Sequence, residues 1–173
     1  MISVIAGKYR GRKLFDVKNL HVRPTQAKVR KSIFQILEPF QNLEVLDLYA
    51  GMGTLGIEAL SRGASKVVFV EKNRKVFKVL KKNINLFDAE KSYVVLEDVN
   101  SYLKRVKNHV FDIVLADPPY SEVSFESIQK STKDFLKPGG ILCMEMKRES
   151  IDNDNVRIKH YGSSQVVFWR NVA

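Results

Sequence analysis

Val45-Leu-Asp-Leu-Tyr-Ala-Gly-Met-Gly-Thr-Leu-Gly-Ile-Glu-Ala-Leu60 is the stretch that decides how this chain folds. Its apolar start, Val45 to Tyr49, reads as a short buried strand. The strand runs into Gly51, Gly53 and Gly56, spaced G-x-G-x-x-G. Beyond Thr54 the pattern turns helical, with Leu55, Ala59 and Leu60 on one face. A strand, a glycine turn and a helix in that order form a nucleotide-binding corner. Glycines let the backbone approach a ligand, and the helix N-terminus offers free N–H groups. A dinucleotide and S-adenosylmethionine both suit such a corner. Asp47 favours the second: a carboxylate inside the strand attracts the cationic methionine end and repels a pyrophosphate. Its alternative task is to cap the turn.

The length of 173 residues sets one domain with room for a sizeable core. Hydrophobic residues at 45% and charged residues at 28% are ordinary for a soluble globular chain. No apolar run approaches the roughly 20 residues a membrane helix needs. Met1-Ile-Ser-Val-Ile-Ala-Gly7 is too short to read as a signal peptide. The single cysteine, Cys143, excludes a disulfide framework and a cysteine-based zinc cluster. The three histidines are scattered, so no metal is expected, and a reducing, cytoplasmic location follows.

Most of the net charge of +10 sits at the start. Residues 1–31 hold Lys8, Arg10, Arg12, Lys13, Lys18, Arg23, Lys28, Arg30 and Lys31 against the single acid Asp16. A basic leader on a near-neutral body suits docking to a polyanion; its alternative is a solvated face. Ser3 to Ala6 and Arg12 to Phe15 read as two short strands around the turn Gly7-Lys-Tyr-Arg-Gly11. Tyr9 in that tip suits stacking on a base, with Lys8 and Arg10 on phosphates. Asn19 to Arg23 reads as loop, and Pro24 sets the entry to a helix that Thr25 caps. Val29, Ile33, Ile36 and Leu37 form its apolar stripe, and Arg30 falls on the opposite side, facing a partner. Pro39 ends the helix.

Further along, Gly63 caps the helix of the glycine corner. Lys66 to Glu71 is a second strand, and Asn73 caps a helix with the stripe Val76, Leu80, Ile84 and Phe87. Tyr93 to Leu96 is a third strand, followed by a short helix near Ser101 to Val106. Phe111 to Ala116 is a fourth. A helix from Phe125 to Leu136 ends at Lys137-Pro-Gly-Gly140, and Ile141 to Met146 is a fifth strand. Val156 to His160 and Gln165 to Arg170 read as a terminal hairpin turning at Gly162-Ser-Ser164. Cys143, Phe168 and Trp169 read as packing residues. The alternation predicts a Rossmann-like α/β fold: a mostly parallel sheet with helices on both faces, right-handed crossovers and an antiparallel C-terminal edge strand. Residues 1–38 form a basic N-terminal extension of hairpin and helix, and 43–173 the core.

In such sheets ligands sit beyond the carboxyl ends of the strands. The Gly51 loop, Glu71, Asp98 and Asp117 end successive strands and therefore converge. Glu71, twenty residues after Gly51, suits two ribose hydroxyls; its alternative is a helix N-terminal acid. Asp98 suits the adenine amino group, with Val99 against the ring; its alternative is a helix cap. Asp117-Pro118-Pro119-Tyr120 is the sharpest signal. Two prolines remove two backbone donors and stiffen the loop. The Asp117 carboxylate and the Pro118 carbonyl are then paired acceptors for an exocyclic amino group, with Tyr120 stacking on a flipped base. The alternative is a structural Pro-Pro turn. Glu145 lies near a strand end, placed to face the cleft.

With these residues in view, the chain resembles the RsmD-type 16S ribosomal RNA (guanine-N2) methyltransferases nearly end to end. The matching residues are Gly7, Arg10-Gly-Arg-Lys-Leu14, Arg23-Pro-Thr25, Val29-Arg30, Leu46-Asp-Leu-Tyr-Ala-Gly51, Gly53, Leu55-Gly56, Glu58-Ala-Leu60, Glu71, Asp98, Asp117-Pro-Pro-Tyr120, Glu145 and Tyr161-Gly162. The resemblance implies S-adenosyl-L-methionine as cofactor, held by Asp47, Tyr49, Ala50, Gly51, Gly53, Glu71, Asp98 and Val99. It implies catalysis by Asp117, Pro118, Pro119 and Tyr120. It makes ribosomal RNA the partner, within the small subunit or an assembly intermediate, met by Lys8, Arg10, Arg12, Lys13, Arg23 and Arg30. Met52, Ala27, Lys31 and Gln35 depart from the family's usual residues. Other readings of the same residues are adenine-N6 methylation, protein-glutamine methylation, non-catalytic RNA binding in ribosome assembly, and a dinucleotide-dependent reductase, which leaves Asp47 and Asp117 without a task.

Overall fold

A computed structural model describes residues 1–17, 25–87, 89–120 and 122–172. Arg23, Pro24 and the expected loop from Asn19 lie outside the described residues. The element order is α1 (Ala27–Leu37), β1 (Glu44–Leu48), α2 (Thr54–Ser61), β2 (Lys66–Glu71), α3 (Arg74–Ile84), β3 (Ser92–Leu96), α4 (Val99–Arg105), β4 (Phe111–Ala116), α5 (Phe125–Thr132), β5 (Leu136–Lys147), β6 (Val156–Tyr161) and β7 (Ser164–Arg170). The seven strands run β3-β2-β1-β4-β5-β7-β6 in one sheet. Strands β1 to β5 are parallel, whereas β7 runs antiparallel to β5 and β6 closes the edge antiparallel to β7. The strand order reverses between β1 and β4, which is where a crevice opens in a sheet of this kind.

Side chains alternate across the sheet and separate two cores. Val45, Phe69, Leu115 and Cys143 face α1, α2, α3 and the N-terminal segment. Leu46, Val70, Ala116 and Met144 face α4 and α5 on the other side. The same alternation continues into the polar residues. Asp47, Glu71, Asp117 and Glu145 each stand two positions beyond a residue of the first set, so all four acids point to the α1–α2 face. The register then levels three of them, with Asp47 one side-chain step behind, level with Phe69 and Leu115. Leu48 pairs with Val70 and with Ala116, and Ala116 pairs with Met144. The next residues of β2, β4 and β5 are therefore acids at one edge, Asp117 and Glu145 on adjacent strands and Glu71 across β1 from them.

The N-terminal segment differs from the expected hairpin. Only an isolated antiparallel bridge, Ser3 with Lys13, joins its two arms. Val4 N, Gly11 N and Leu14 N bond within the segment, while other backbone donors are taken up by the body. Glu58, fully buried on α2, accepts from Ile5 N at 2.8 Å, Ala6 N at 3.0 Å and Arg62 Nε at 2.9 Å. Ser61 Oγ accepts from Tyr9 N, and Asn83 Oδ1 of α3 accepts from Phe15 N. Gly7 comes so close that a Cβ there would lie 1.9 Å from the Ser61 carbonyl oxygen. The leader is thus clamped onto the helix that follows the glycine turn.

Strand β5 also starts earlier than expected. The helix from Phe125 stops at Thr132, a 3-10 turn covers 133–135, and Lys137-Pro-Gly-Gly140 lies inside the strand. Leu136 is buried in the second core and pairs with Phe111, and the register then shifts between Phe111 and Ile113 to accommodate the extra residues.

Candidate active site

The glycine turn is built from backbone geometry. Tyr49, Gly51 and Gly53 have positive φ angles of 58°, 58° and 90°. Gly51 N donates to Glu71 Oε2 at 2.9 Å, so the twenty-residue offset seen in the sequence is closed by a direct bond. Glu71 Oε1 accepts from Asn73 N at 2.7 Å, which joins the turn to the cap of α3. Asp47 Oδ2 accepts from Gly56 N at 2.9 Å, in the first turn of α2. A Cβ at Gly56 would strike the Phe69 ring at 2.2 Å, so only glycine lets the helix meet this strand.

Beside the turn lies a cavity of about 830 Å³. Its floor is Asp47, Tyr49, Ala50, Gly51, Glu71 and Val99, and its far wall is Asp117, Pro118, Pro119, Tyr120 and Glu145. The roof is the start of α1 (Thr25, Gln26, Lys28, Val29) with the β6–β7 turn from His160 to Ser164. The Tyr161 hydroxyl bonds Ser32 Oγ and ties these two roof pieces together. Among the described residues no His, Cys, Asp or Glu cluster is arranged to hold a metal. None of the helices in that same set is long and apolar enough to cross a membrane.

Two carboxylates face each other across the wall. Thr25 Oγ1 donates to Asp117 Oδ2 at 2.9 Å. The Tyr120 hydroxyl donates to Glu145 Oε1 at 3.0 Å. Burial pushes Asp117 up to about 7; the Glu145 charge adds to this and the Thr25 bond opposes it. Burial pushes Asp47 up to about 8, against the Gly56 bond and with help from the Asp117 and Glu71 charges. Tyr120 rises to about 12 from burial and the Glu145 charge. Burial raises Cys143 well above the usual thiol value, which leaves it an inert core residue. The cavity therefore concentrates negative charge that desolvation opposes, a setting that favours a cationic occupant.

Several expectations change. Thr25 does not cap α1; Gln26 holds the cap position without a side-chain bond, and Thr25 is spent on Asp117. Arg30 does not face a partner. It is 3% exposed and donates from a terminal nitrogen to Ser3 O at 3.1 Å, because helical spacing places it in line with the buried Phe34 and Leu37, on the side of α1 that packs under the N-terminal segment. Tyr9 is not a free stacking tip. It is 5% exposed and packs at 4.8 Å on Phe87, because the leader folds down onto α3. Asp98 caps α4 through Asn100 N and Ser101 N, and the cavity is lined by its neighbours Glu97 and Val99. Gly53 also stands behind the wall, where its missing Cβ makes room for Leu80 and Ile57.

Lys8, Arg10, Arg12 and Lys13 are exposed as expected. A second basic face joins them. Lys72, Arg74, Lys75, Lys78, Lys81 and Lys82 are all exposed along α3 with no acid between them. The leader is pinned to the end of this helix through Asn83 and, from Arg12, the Leu86 carbonyl. Counting charge over the whole body hides this run; helical spacing in 72–82 reveals it. In the sequence the β6–β7 turn reads as a hairpin, and only Tyr161-Gly162 stands out, through the family resemblance; nothing local in Gly162-Ser-Ser164 marks a ligand.

The comparisons agree with this geometry. A family model described as conserved hypothetical protein 95 matches residues 2–170. Ribosomal RNA small subunit methyltransferase D of Haemophilus influenzae is 35% identical over 154 residues, covering 86% of this chain and 80% of that protein. The solved structure of yhhF from Escherichia coli superimposes with a TM-score of 0.85 at 32% identity, covering 98% of this chain and 97% of that one. An RNA methyltransferase from Salinibacter ruber, solved with S-adenosyl-L-homocysteine, shares the fold at a TM-score of 0.68 and 17% identity, over 86% of this chain and 93% of its own. The chain belongs to the conserved hypothetical protein 95 family, the family of the ribosomal RNA small subunit methyltransferase D enzymes.

Proposed function

We propose that this chain transfers a methyl group from S-adenosyl-L-methionine to the exocyclic N2 amino group of a guanine in small-subunit (16S) ribosomal RNA. The supporting observation is the pair of oriented carboxylates, Asp117 held by Thr25 and Glu145 held by Tyr120, on the wall of the cavity beside the glycine turn. The donor set fits the cofactor. Asp47 suits the methionine ammonium, Glu71 the ribose hydroxyls and Val99 the adenine ring. A cation relieves the repulsion among these acids, whereas a dinucleotide pyrophosphate would add to it.

When bound, the cofactor supplies an electrophilic methyl group: the N2–carbon bond forms, the carbon–sulfur bond breaks, and sulfur keeps the electron pair. The chain's own part is to hold the amino group. Asp117 Oδ1, which Thr25 leaves open, and the Pro118 carbonyl accept its two N–H bonds. That grip turns the nitrogen lone pair toward the methyl, and positioning of this kind supplies roughly 7–11 kcal/mol of barrier reduction. The proton lost by N2 passes to the Asp117 carboxylate. Its value near 7 matches a base that works at neutral pH. Tyr120 stacks on the base.

Cofactor binding should release protons. Asp47 and Asp117 sit above their ordinary values in the free protein, at about 8 and about 7. A neighbouring cation brings both back down, so affinity should rise with pH up to about 8. The same raised values make the ligand-free fold lose stability as pH climbs from about 4 to 8. Calorimetry near pH 7 in buffers of different ionisation enthalpy should give buffer-dependent heats; identical heats would contradict the charge cluster.

RNA docking runs through Lys8, Arg10, Arg12, Lys13 and Arg23, extended by the exposed cations of α3. If about five phosphates are neutralised, log affinity should fall with log salt at a slope of roughly −4. Replacing Lys75, Lys78 and Lys82 by Gln should flatten that slope; an unchanged slope would confine docking to the leader. The function itself is tested by incubating the protein with labelled cofactor and small subunits from cells lacking the enzyme. Recovery of N2-methylguanosine is expected. N6-methyladenosine, or label in protein, would move the substrate, and absence of cofactor binding would leave only RNA binding.

A further inference from the structure

One carboxylate oxygen in this cavity has no work in the steps above. Glu145 is 6% exposed, and its Oε1 is held by the Tyr120 hydroxyl at 3.0 Å. Its Oε2 is buried and accepts no hydrogen bond among the described residues. Buried carboxylate oxygens are nearly always paired, so an orphan in a ligand cavity points to a donor that arrives with the ligand. The β4–β5 register sets Glu145 level with Asp117, and alternation puts both on the same face. A group whose amino nitrogen is held by Asp117 therefore presents its adjacent edge to Glu145.

We propose that Glu145 Oε2 accepts the N1–H of the target guanine and is the residue that selects guanine over the other amino-bearing bases. This rests on the guanine-N2 reading above. The chemistry of the edges makes the distinction. In guanine the exocyclic amino group is flanked by N1–H, a donor. In adenine the amino group is flanked by the N1 lone pair, and in cytosine by the N3 lone pair. A glutamine amide carries a carbonyl oxygen beside its amino group. Each of these three turns an acceptor toward Glu145, and two acceptors repel. A site built around a hydrogen bond rejects a ligand that cannot make it far more strongly than an apolar pocket rejects a misfit. Tyr120 becomes a positioning residue for this contact, since its hydroxyl fixes which oxygen of Glu145 faces the base.

The test separates this contact from a general structural role. Small subunits are reconstituted with guanosine or with 2-aminopurine riboside at the modified position. The second keeps the amino group, replaces N1–H by a lone pair and also lacks the 6-oxo oxygen; Glu145→Gln separates these two losses, since it bears on the N1 contact alone. Wild type should turn over guanosine at least about a hundredfold faster. In Glu145→Gln the Tyr120 hydroxyl keeps the amide oxygen and turns the amide NH2 toward the base. The guanosine to 2-aminopurine ratio should then fall at least about tenfold, with cofactor affinity unchanged. A ratio equal to that of wild type would overturn the proposal, because a merely structural Glu145 lowers both rates together. Should Glu145→Gln not fold, wild type alone still decides: equal turnover of the two substrates overturns the contact. Failure of wild type to methylate the guanosine particle would strike the guanine-N2 reading instead.

Discussion

Asp117→Ala should lower the rate of methyl transfer by about a thousandfold or more while S-adenosyl-L-methionine still binds. On the proposed mechanism the substitution removes the acceptor that orients the amino group and the base that takes its proton, two roles assigned to one buried carboxylate. It leaves in place the glycine turn, Asp47 and Glu71, which the proposed mechanism assigns to the cofactor rather than the base. The expected cost to the fold is small or negative. Asp117 is buried beside Glu145 and its charge pushes Asp47 up, so its loss relieves repulsion in the empty cavity. Thermal denaturation should therefore show an equal or higher midpoint, most clearly at pH 8, where Asp117 is mostly ionised and Asp47 about half so. Single-turnover rates with labelled cofactor, paired with calorimetry, read both halves. Turnover equal to wild type would remove the mechanism.

Glu58→Ala should destabilise the protein by about 3–5 kcal/mol, the usual cost of breaking a buried ion pair from one side. Glu58 carries three hydrogen bonds, two of them from the backbone of the leader and one from Arg62, and it is fully buried. Arg62 keeps a second partner in Glu38, but among the described residues Ile5 N and Ala6 N donate to Glu58 alone. The leader should lift from α2, so its amides lose protection in hydrogen exchange. RNA affinity should fall with it, while a truncated cofactor analogue that touches only the glycine turn binds as before. A loss below about 1 kcal/mol would mean that the leader is held by its apolar residues Val4, Tyr9 and Leu14 rather than by this carboxylate.

The parts of the site that come from a period and a strand end were legible in the sequence. Asp47, Glu71 and Asp117 follow from the two-residue alternation of parallel strands, and their convergence follows from the strand-end rule. The cap at Asn73, the glycine turn and the terminal hairpin also follow from local chemistry. The residues misread are those whose role is set by what folds over them. Arg30 has the chemistry of a free cation, yet it stands one and two turns before the buried Phe34 and Leu37, and the N-terminal segment packs over it. Tyr9 looks like a basic, aromatic tip, yet Phe87 lies beneath it. Thr25 has the chemistry of a helix cap, and only the three-dimensional approach of α1 to β4 hands its hydroxyl to a residue 92 positions away. Glu145 is the intermediate case: its place on the strand was visible, but its orphan oxygen required the register with Asp117.

A crystal structure with S-adenosyl-L-methionine bound is the most direct measurement. The transferable methyl should point at Asp117 Oδ1 and the Pro118 carbonyl, with open space for a planar base between them and the roof formed by Thr25 and Tyr161. A methyl directed away from residue 117, or a wall closed against a base, would contradict the claim that a carboxylate and a proline carbonyl grip the amino group being methylated.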